Sequence, residues 1–92
     1  MPRFIARVEL SGAGTAGEDA VGAAMEHRGF SRQIRVADRW YWLPGGENLI
    51  VGEFDGSTVL RWAAAVARAG ARARILVTES PGAVFCDGLD PV

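Results

Sequence analysis

From Arg3 to Leu10 the chain alternates, with Phe4, Ala6, Val8 and Leu10 on one side and Arg3, Ile5, Arg7 and Glu9 on the other. Successive side chains of an extended strand point to opposite faces, so this segment is a half-buried strand that needs a cover for its apolar side. Two helical stretches supply the cover. Thr15 with Glu18 three residues on has the form of a capping box, and the helix it opens runs to about Arg28, where Gly29 ends it. Val21, Ala24 and Met25, with Ala20 beside them, make its apolar stripe. The second helix follows the turn Asp55-Gly56-Ser57-Thr58, carries Val59, Leu60, Ala63, Ala64, Val66 and Ala67 on one side, and stops at Gly70. Alanines on that stripe allow close approach to a sheet.

Between the helices lies the densest chemistry of the chain. Phe30 to Val36 reads as a strand, Ala37-Asp38-Arg39 as a short connection, and Trp40 to Leu43 as the start of a third strand, so the pair is an antiparallel hairpin. Pro44-Gly45-Gly46 interrupts it, and the extended piece Asn48 to Phe54 is expected to continue strand three. Arg74 to Glu79 is strand four, Ala83 to Cys86 a short extra C-terminal strand, and residues 87–92 a frayed tail. The order β-α-β-β-α-β is the split βαβ pattern. It predicts an α+β, ferredoxin-like sandwich, with two helices on one face of a four-stranded antiparallel sheet and a single domain over 1–92. Ninety-two residues are too few for two cores.

The net charge is −1, from ten arginines against eleven carboxylates with no lysine, so binding of an anion must rest on local clustering. Guanidinium groups grip phosphate bidentately, whereas the absence of lysine removes Schiff-base chemistry. One cysteine, Cys86, allows no internal disulfide and no cysteine-based tetrahedral zinc site; it is expected to be buried, in a protein of the reducing cytoplasm. The apolar runs are short and the N-terminus has no signal-type apolar stretch, so no membrane partner is expected.

Gly12-Ala13-Gly14-Thr15-Ala16-Gly17 fits GxGxxG, and Asp38 follows near the distance of a ribose-binding carboxylate. A dinucleotide fold would need a second crossover helix where this chain enters a hairpin, so the segment is read as a glycine-rich turn and no cofactor is expected. His27 is the only histidine, which leaves out a two-histidine ribonuclease mechanism and a histidine-rich metal site within one chain; it suits the C-terminal end of the first helix. Glu9 is the carboxylate best placed at a sheet end, where pairing with Arg7 or with a residue of an adjacent strand is expected before metal binding.

The face not covered by helices would carry Arg3, Ile5, Arg7, Arg35, Trp40, Trp42, Arg74, Leu76 and Thr78. Arginines and tryptophans together can grip phosphates and stack bases. The same surface, with Ile5, Leu76 and the tryptophans, can bury itself in a homodimer. Arg7, Arg35, Arg39, Trp40 and Trp42 are the candidate RNA- or partner-binding residues. No metal ligand and no catalytic residue is assigned.

Four segments, Arg3-Phe4-Ile5-Ala6-Arg7-Val8-Glu9-Leu10, Ala24 through Arg32, Arg39-Trp40-Tyr41-Trp42-Leu43-Pro44 and Ile75-Leu76-Val77-Thr78-Glu79, together resemble the small bacterial type V antitoxins of the GhoS-like family over residues 3–89. The resemblance implies a ferredoxin-like fold similar to the small nuclease-like subunit of the CRISPR spacer-integration complex. It also implies an antitoxin that acts as an endoribonuclease on the messenger RNA of a membrane-active toxin. Where the related nuclease-like fold has an aspartate at the end of its first strand, this chain has Glu9, then Leu10 and Ser11. The functions that stay open are an antitoxin-type RNA binder that cleaves or does not cleave, a non-catalytic protein-interaction module of regulatory or phage-inhibitor type, and a small-molecule-binding domain.

Overall fold

The computed structural model describes residues 1–92. Seven elements follow one another: β1 (Arg3–Ser11), α1 (Gly14–Arg28), β2 (Gln33–Val36), β3 (Arg39–Trp42), β4 (Glu47–Val51), α2 (Gly56–Gly70) and β5 (Arg72–Glu79). Strand β1 is the centre of an antiparallel sheet in the order β4-β1-β5, with Ile5 opposite Leu49 on one side and Thr78 on the other. Its apolar alternation dictates which side the helices cover. Phe4, Ala6 and Val8 are buried beneath Val21 and Met25 of α1 and Val59, Ala63 and Ala67 of α2, with Ile50, Ile75 and Val77 alongside. Ala63 and Ala67 are completely buried, so the small side chains of α2 lie directly against the sheet.

The helix termini follow from local chemistry. Asp55 caps α2, its Oδ1 accepting from the Thr58 N–H at 2.8 Å. At the end of α1, Gly29 takes φ 113°, its N–H bonds to the Glu26 carbonyl, and the Phe30 N–H bonds to that of Met25. This is a Schellman arrangement, in which the left-handed residue favours glycine and the residues at its two ends, Met25 and Phe30, both enter the core. The expected capping box does not form. The chain turns into α1 two residues earlier, with Ala13 at the cap position and no side-chain cap, so Thr15 already lies in the first turn. Ala20 and Ala24 are exposed, and the buried side of α1 is Val21, Gly22 and Met25.

Two expectations about the sheet are corrected. The four-stranded sheet is divided into the three-stranded sheet and a separate β2-β3 hairpin, joined by one antiparallel bridge between Ser31 and Leu49. The piece after Pro44 does not continue strand three. Gly46, at φ 81°, turns the chain against β1, where its carbonyl accepts from the Val8 N–H at 2.8 Å, and β4 then pairs with β1 from Glu47 onward. A Cβ at Gly46 would stand 2.6 Å from the Val8 carbonyl oxygen, so both conformation and contact demand glycine there.

The C-terminal segment also departs from expectation. Ala83 to Cys86 forms no strand, and Cys86 is exposed rather than buried. Conversely, the last residues are not frayed: Pro91 bridges Tyr41, the Trp42 N–H bonds to the Asp90 carbonyl at 2.9 Å, and the Val92 N–H bonds to the Trp40 carbonyl at 3.0 Å. An unpaired strand edge is a row of free donors and acceptors, and this tail satisfies two of those of β3, the Trp42 N–H and the Trp40 carbonyl. No helix is long and apolar enough to cross a membrane.

Candidate functional site

The hairpin is built from a two-residue turn. Ala37 and Asp38 take φ values of 48° and 67°, the pair of positive values that a type I′ turn requires to match the twist of the flanking strands. Aspartate tolerates this region; alanine does so at a cost of roughly 1–2 kcal/mol. The register that follows sets Gln33 opposite Trp42, Ile34 opposite Tyr41, Arg35 opposite Trp40 and Val36 opposite Arg39. Gln33, Arg35, Trp40 and Trp42 therefore share one side. Ile34, buried, and Tyr41, half-buried, share the other.

Trp40 and Trp42 are 51% and 42% exposed, large values for tryptophan on a strand that has neighbours on both sides. Alternation relates this side of the hairpin to the main sheet. Ser31 pairs with Leu49, which lies on the same outer face as Ile5 and Arg7, and Gln33 and Arg35 follow Ser31 at a period of two. Arg32, between them, is directed the opposite way and bonds Glu26 of α1 at 2.9 Å.

Of the five candidate residues, the structure brings Arg35, Trp40 and Trp42 together. Arg35 is not a free cation: its guanidinium meets the Asp38 carboxylate at 3.0 Å, an exposed pair that solvent weakens. Arg39 lies on the opposite side of the hairpin from the tryptophans, beside the turn. Arg7 stands on the outer face of β1, between Leu76 and Glu47 across the ladders, and reaches the tryptophan region only through a shared cleft that it lines together with Trp42.

That cleft, of about 520 Å³, lies where the β3–β4 connection leaves β1 and is bordered on its far side by α1. Elsewhere on the outer face Glu9 pairs with Arg74 directly across on β5, while Leu76 and Val51 are 63% and 48% exposed. His27 sits on α1, in the layer on the other face of the sheet.

Two features of this region were not signalled by residue pattern. One is the tail that pairs along β3, because Leu89 to Val92 has neither alternation nor length. The other is Asn48, expected only as part of an extended segment and found 4% exposed with its Oδ1 lacking any protein partner. Composition gave a usable sign of neither.

The chain has no match among protein-family models, curated proteins or solved structures.

Proposed function

We propose that this protein is an antitoxin-type RNA-binding domain that takes single-stranded RNA on the outer side of its hairpin. The observation that carries the reading is the exposed pair Trp40 and Trp42, on one side of β3 and facing Gln33 and Arg35 across the ladder. Residues two apart on a strand lie about 6.8 Å from each other, which suits two neighbouring bases that have been drawn out of their own stack. Each base stacked on an aromatic ring contributes about 1–3 kcal/mol and tolerates any sequence. Arg35 supplies the phosphate contact by exchanging its exposed Asp38 partner for the backbone.

This reading goes with a ferredoxin-like fold, to which the β2–β3 hairpin would belong through the Ser31–Leu49 bridge that joins it to β4. In the antitoxin setting implied by the resemblance to GhoS-like proteins, the RNA is a toxin message. Cleavage is not part of the proposal, because the side chains around the tryptophans are arginine, glutamine and an aspartate already engaged by Arg35.

A second reading rests on a different observation. Leu76 and Val51 expose apolar surface on the outer sheet face around Ile5, and a protein partner or a second copy of the chain could cover it. One titration separates the two. Labelled single-stranded RNA is added to the wild-type protein and to Arg35→Ala/Trp42→Ala, and the oligomeric state is followed alongside. Weakened binding with unchanged folding supports the RNA reading; equal affinity removes this site, and RNA-free dimerisation lost in Leu76→Arg supports the second.

A further inference from the structure

The strands differ in how their edges are covered. The tail pairs along β3 and the Ser31 bridge meets β4, whereas β5 has β1 on one side and no strand on the other. One bond shows where its backbone groups point. The Ser80 N–H donates to the Arg3 carbonyl at 2.7 Å, and the register continues that pair as Ile5–Thr78, Arg7–Leu76 and Glu9–Arg74. Hydrogen-bonded pairs alternate with non-bonded ones in an antiparallel ladder, so Ala73, Ile75, Val77 and Glu79 turn their N–H and carbonyl groups away from β1. No other segment of the backbone bonds to them.

Native edges are kept from pairing by proline, by a bulge or by charges along the strand. The centre of β5 is Ile75-Leu76-Val77, without proline or glycine, and its charges stand toward the ends, Arg72 and Arg74 at one and Glu79 at the other. Leu76 is exposed, and Ile75 and Val77 stay half-exposed although they pack on the core. Beside them Leu60 of α2 completes an apolar groove along the edge.

We infer that β5 pairs antiparallel with β5 of a second copy of the chain, about a two-fold axis at Leu76, and so joins two sheets into one of order β4-β1-β5-β5-β1-β4. The strand is complementary to its own reverse. Leu76 is the midpoint of the outward-turned residues, so this register pairs Ile75 with Val77 and Ala73 with Glu79 of the other copy and leaves none of them without a partner. Antiparallel pairing sets the arginine end of each strand beside the glutamate end of the other, with Arg74 opposite Thr78 and no like charges opposed. At the axis Leu76 meets its counterpart in a non-hydrogen-bonded pair, where the Cα atoms approach to about 4.5 Å. The net charge of −1 sets up little repulsion between copies. The hairpins lie beyond β4, away from the joint, so the inference does not depend on RNA binding.

The test is amide hydrogen exchange, read by NMR on the full chain without RNA from about 10 μM to about 1 mM, with sedimentation measured alongside. The Ile75 and Val77 amides should gain protection as concentration rises, while the Leu76 amide, turned toward Arg7 in either state, stays protected throughout. Leu76→Arg opposes like charges at the axis and should weaken the dimer about tenfold or more. Its side chain is 63% exposed, so the fold is kept. Val51→Arg, on the outer face at the far side of the sheet, should leave the dimer unchanged. A chain still monomeric at about 1 mM overturns the inference. So does a dimer in which Ile75 and Val77 exchange freely, one that Leu76→Arg does not weaken, or one lost equally in Val51→Arg, which is association through the outer face.

Discussion

The protein has two arginine–tryptophan neighbourhoods, and they are built for opposite ends. In the helical layer Trp62 is half-buried, Phe54 meets its ring edge-on at 4.8 Å between centroids, and the Arg28 guanidinium lies 4.0 Å over its face. On the hairpin Trp40 and Trp42 stand open to solvent, and Arg35 is held by Asp38 rather than by either ring. The same residue types thus form a closed contact where two helices meet and an open one on β3. What decides is the surroundings. Trp62 is flanked by the core that α2 places against the sheet, whereas the hairpin hangs from one bridge at Ser31 and from the C-terminal tail.

The largest effect on stability should come from the closed neighbourhood. Trp62→Ala removes an edge-to-face ring pair, a cation–π contact and half-buried apolar area, and should cost about 2–3 kcal/mol in urea unfolding while RNA affinity is retained. If Trp62→Ala unfolds at the wild-type midpoint, the contrast between the two sites is wrong.

Next in size is the anchoring of the hairpin. Deleting residues 89–92 removes the two hydrogen bonds to β3, worth about 1–2 kcal/mol together. Hydrogen exchange provides the more specific readout: the Trp42 amide should lose protection, while amides of β1 keep theirs. Equal loss in both would mean that the tail supports the whole sheet.

A smaller change is expected at the cap of the helix that carries Trp62. The Asp55 carboxyl is held below the ordinary aspartate range, chiefly by the Thr58 N–H, then by the hydroxyls of Ser57 and Thr58. A depressed folded-state value means that the stabilisation is complete above the unfolded value of about 3.9 and disappears as pH falls through the lower folded value. Asp55→Ala should lower the unfolding midpoint at pH 7 by less than the tail deletion does. It should also abolish that part of the acid-dependent loss, so that mutant and wild type converge as the pH falls through the lowered folded value.

The smallest effect has the opposite sign. Ala37→Gly relieves the positive φ of the turn at the expense of unfolded-state entropy, so a net gain of at most about 1 kcal/mol is expected, confined to the hairpin. Destabilisation by this change would argue against the type I′ geometry.

Much of this was legible in the sequence, and the failures have common causes. The alternation of Arg3 to Leu10 and the stripe of α2 are long enough to define a period, and both settled as read, with Leu60 of that stripe left 42% exposed. The hairpin was legible because two strands and a short connection are a local matter. Which strand lies beside β1 was not, because that depends on how Pro44-Gly45-Gly46 turns the chain, and a turn shows where a strand ends but not where its neighbour goes. Arg35, Trp40 and Trp42 were correctly placed together by alternation alone. Arg39 differed because it is one residue out of phase with the tryptophans, and a period of two sends it to the other side. The ion pair of Arg74 with Glu9 and the pairing of the tail depend on register across strands distant in sequence.

The central claim is that the open tryptophans, and not the closed one, meet RNA. Fluorescence anisotropy of a labelled single-stranded oligonucleotide should be measured against wild type, Trp40→Ala/Trp42→Ala and Trp62→Ala under conditions where all three are folded. The account predicts at least a tenfold loss for the double variant, about one stacked base or more, and wild-type affinity for Trp62→Ala. Equal affinity of the double variant and the wild type, or a loss shared by Trp62→Ala, would contradict it.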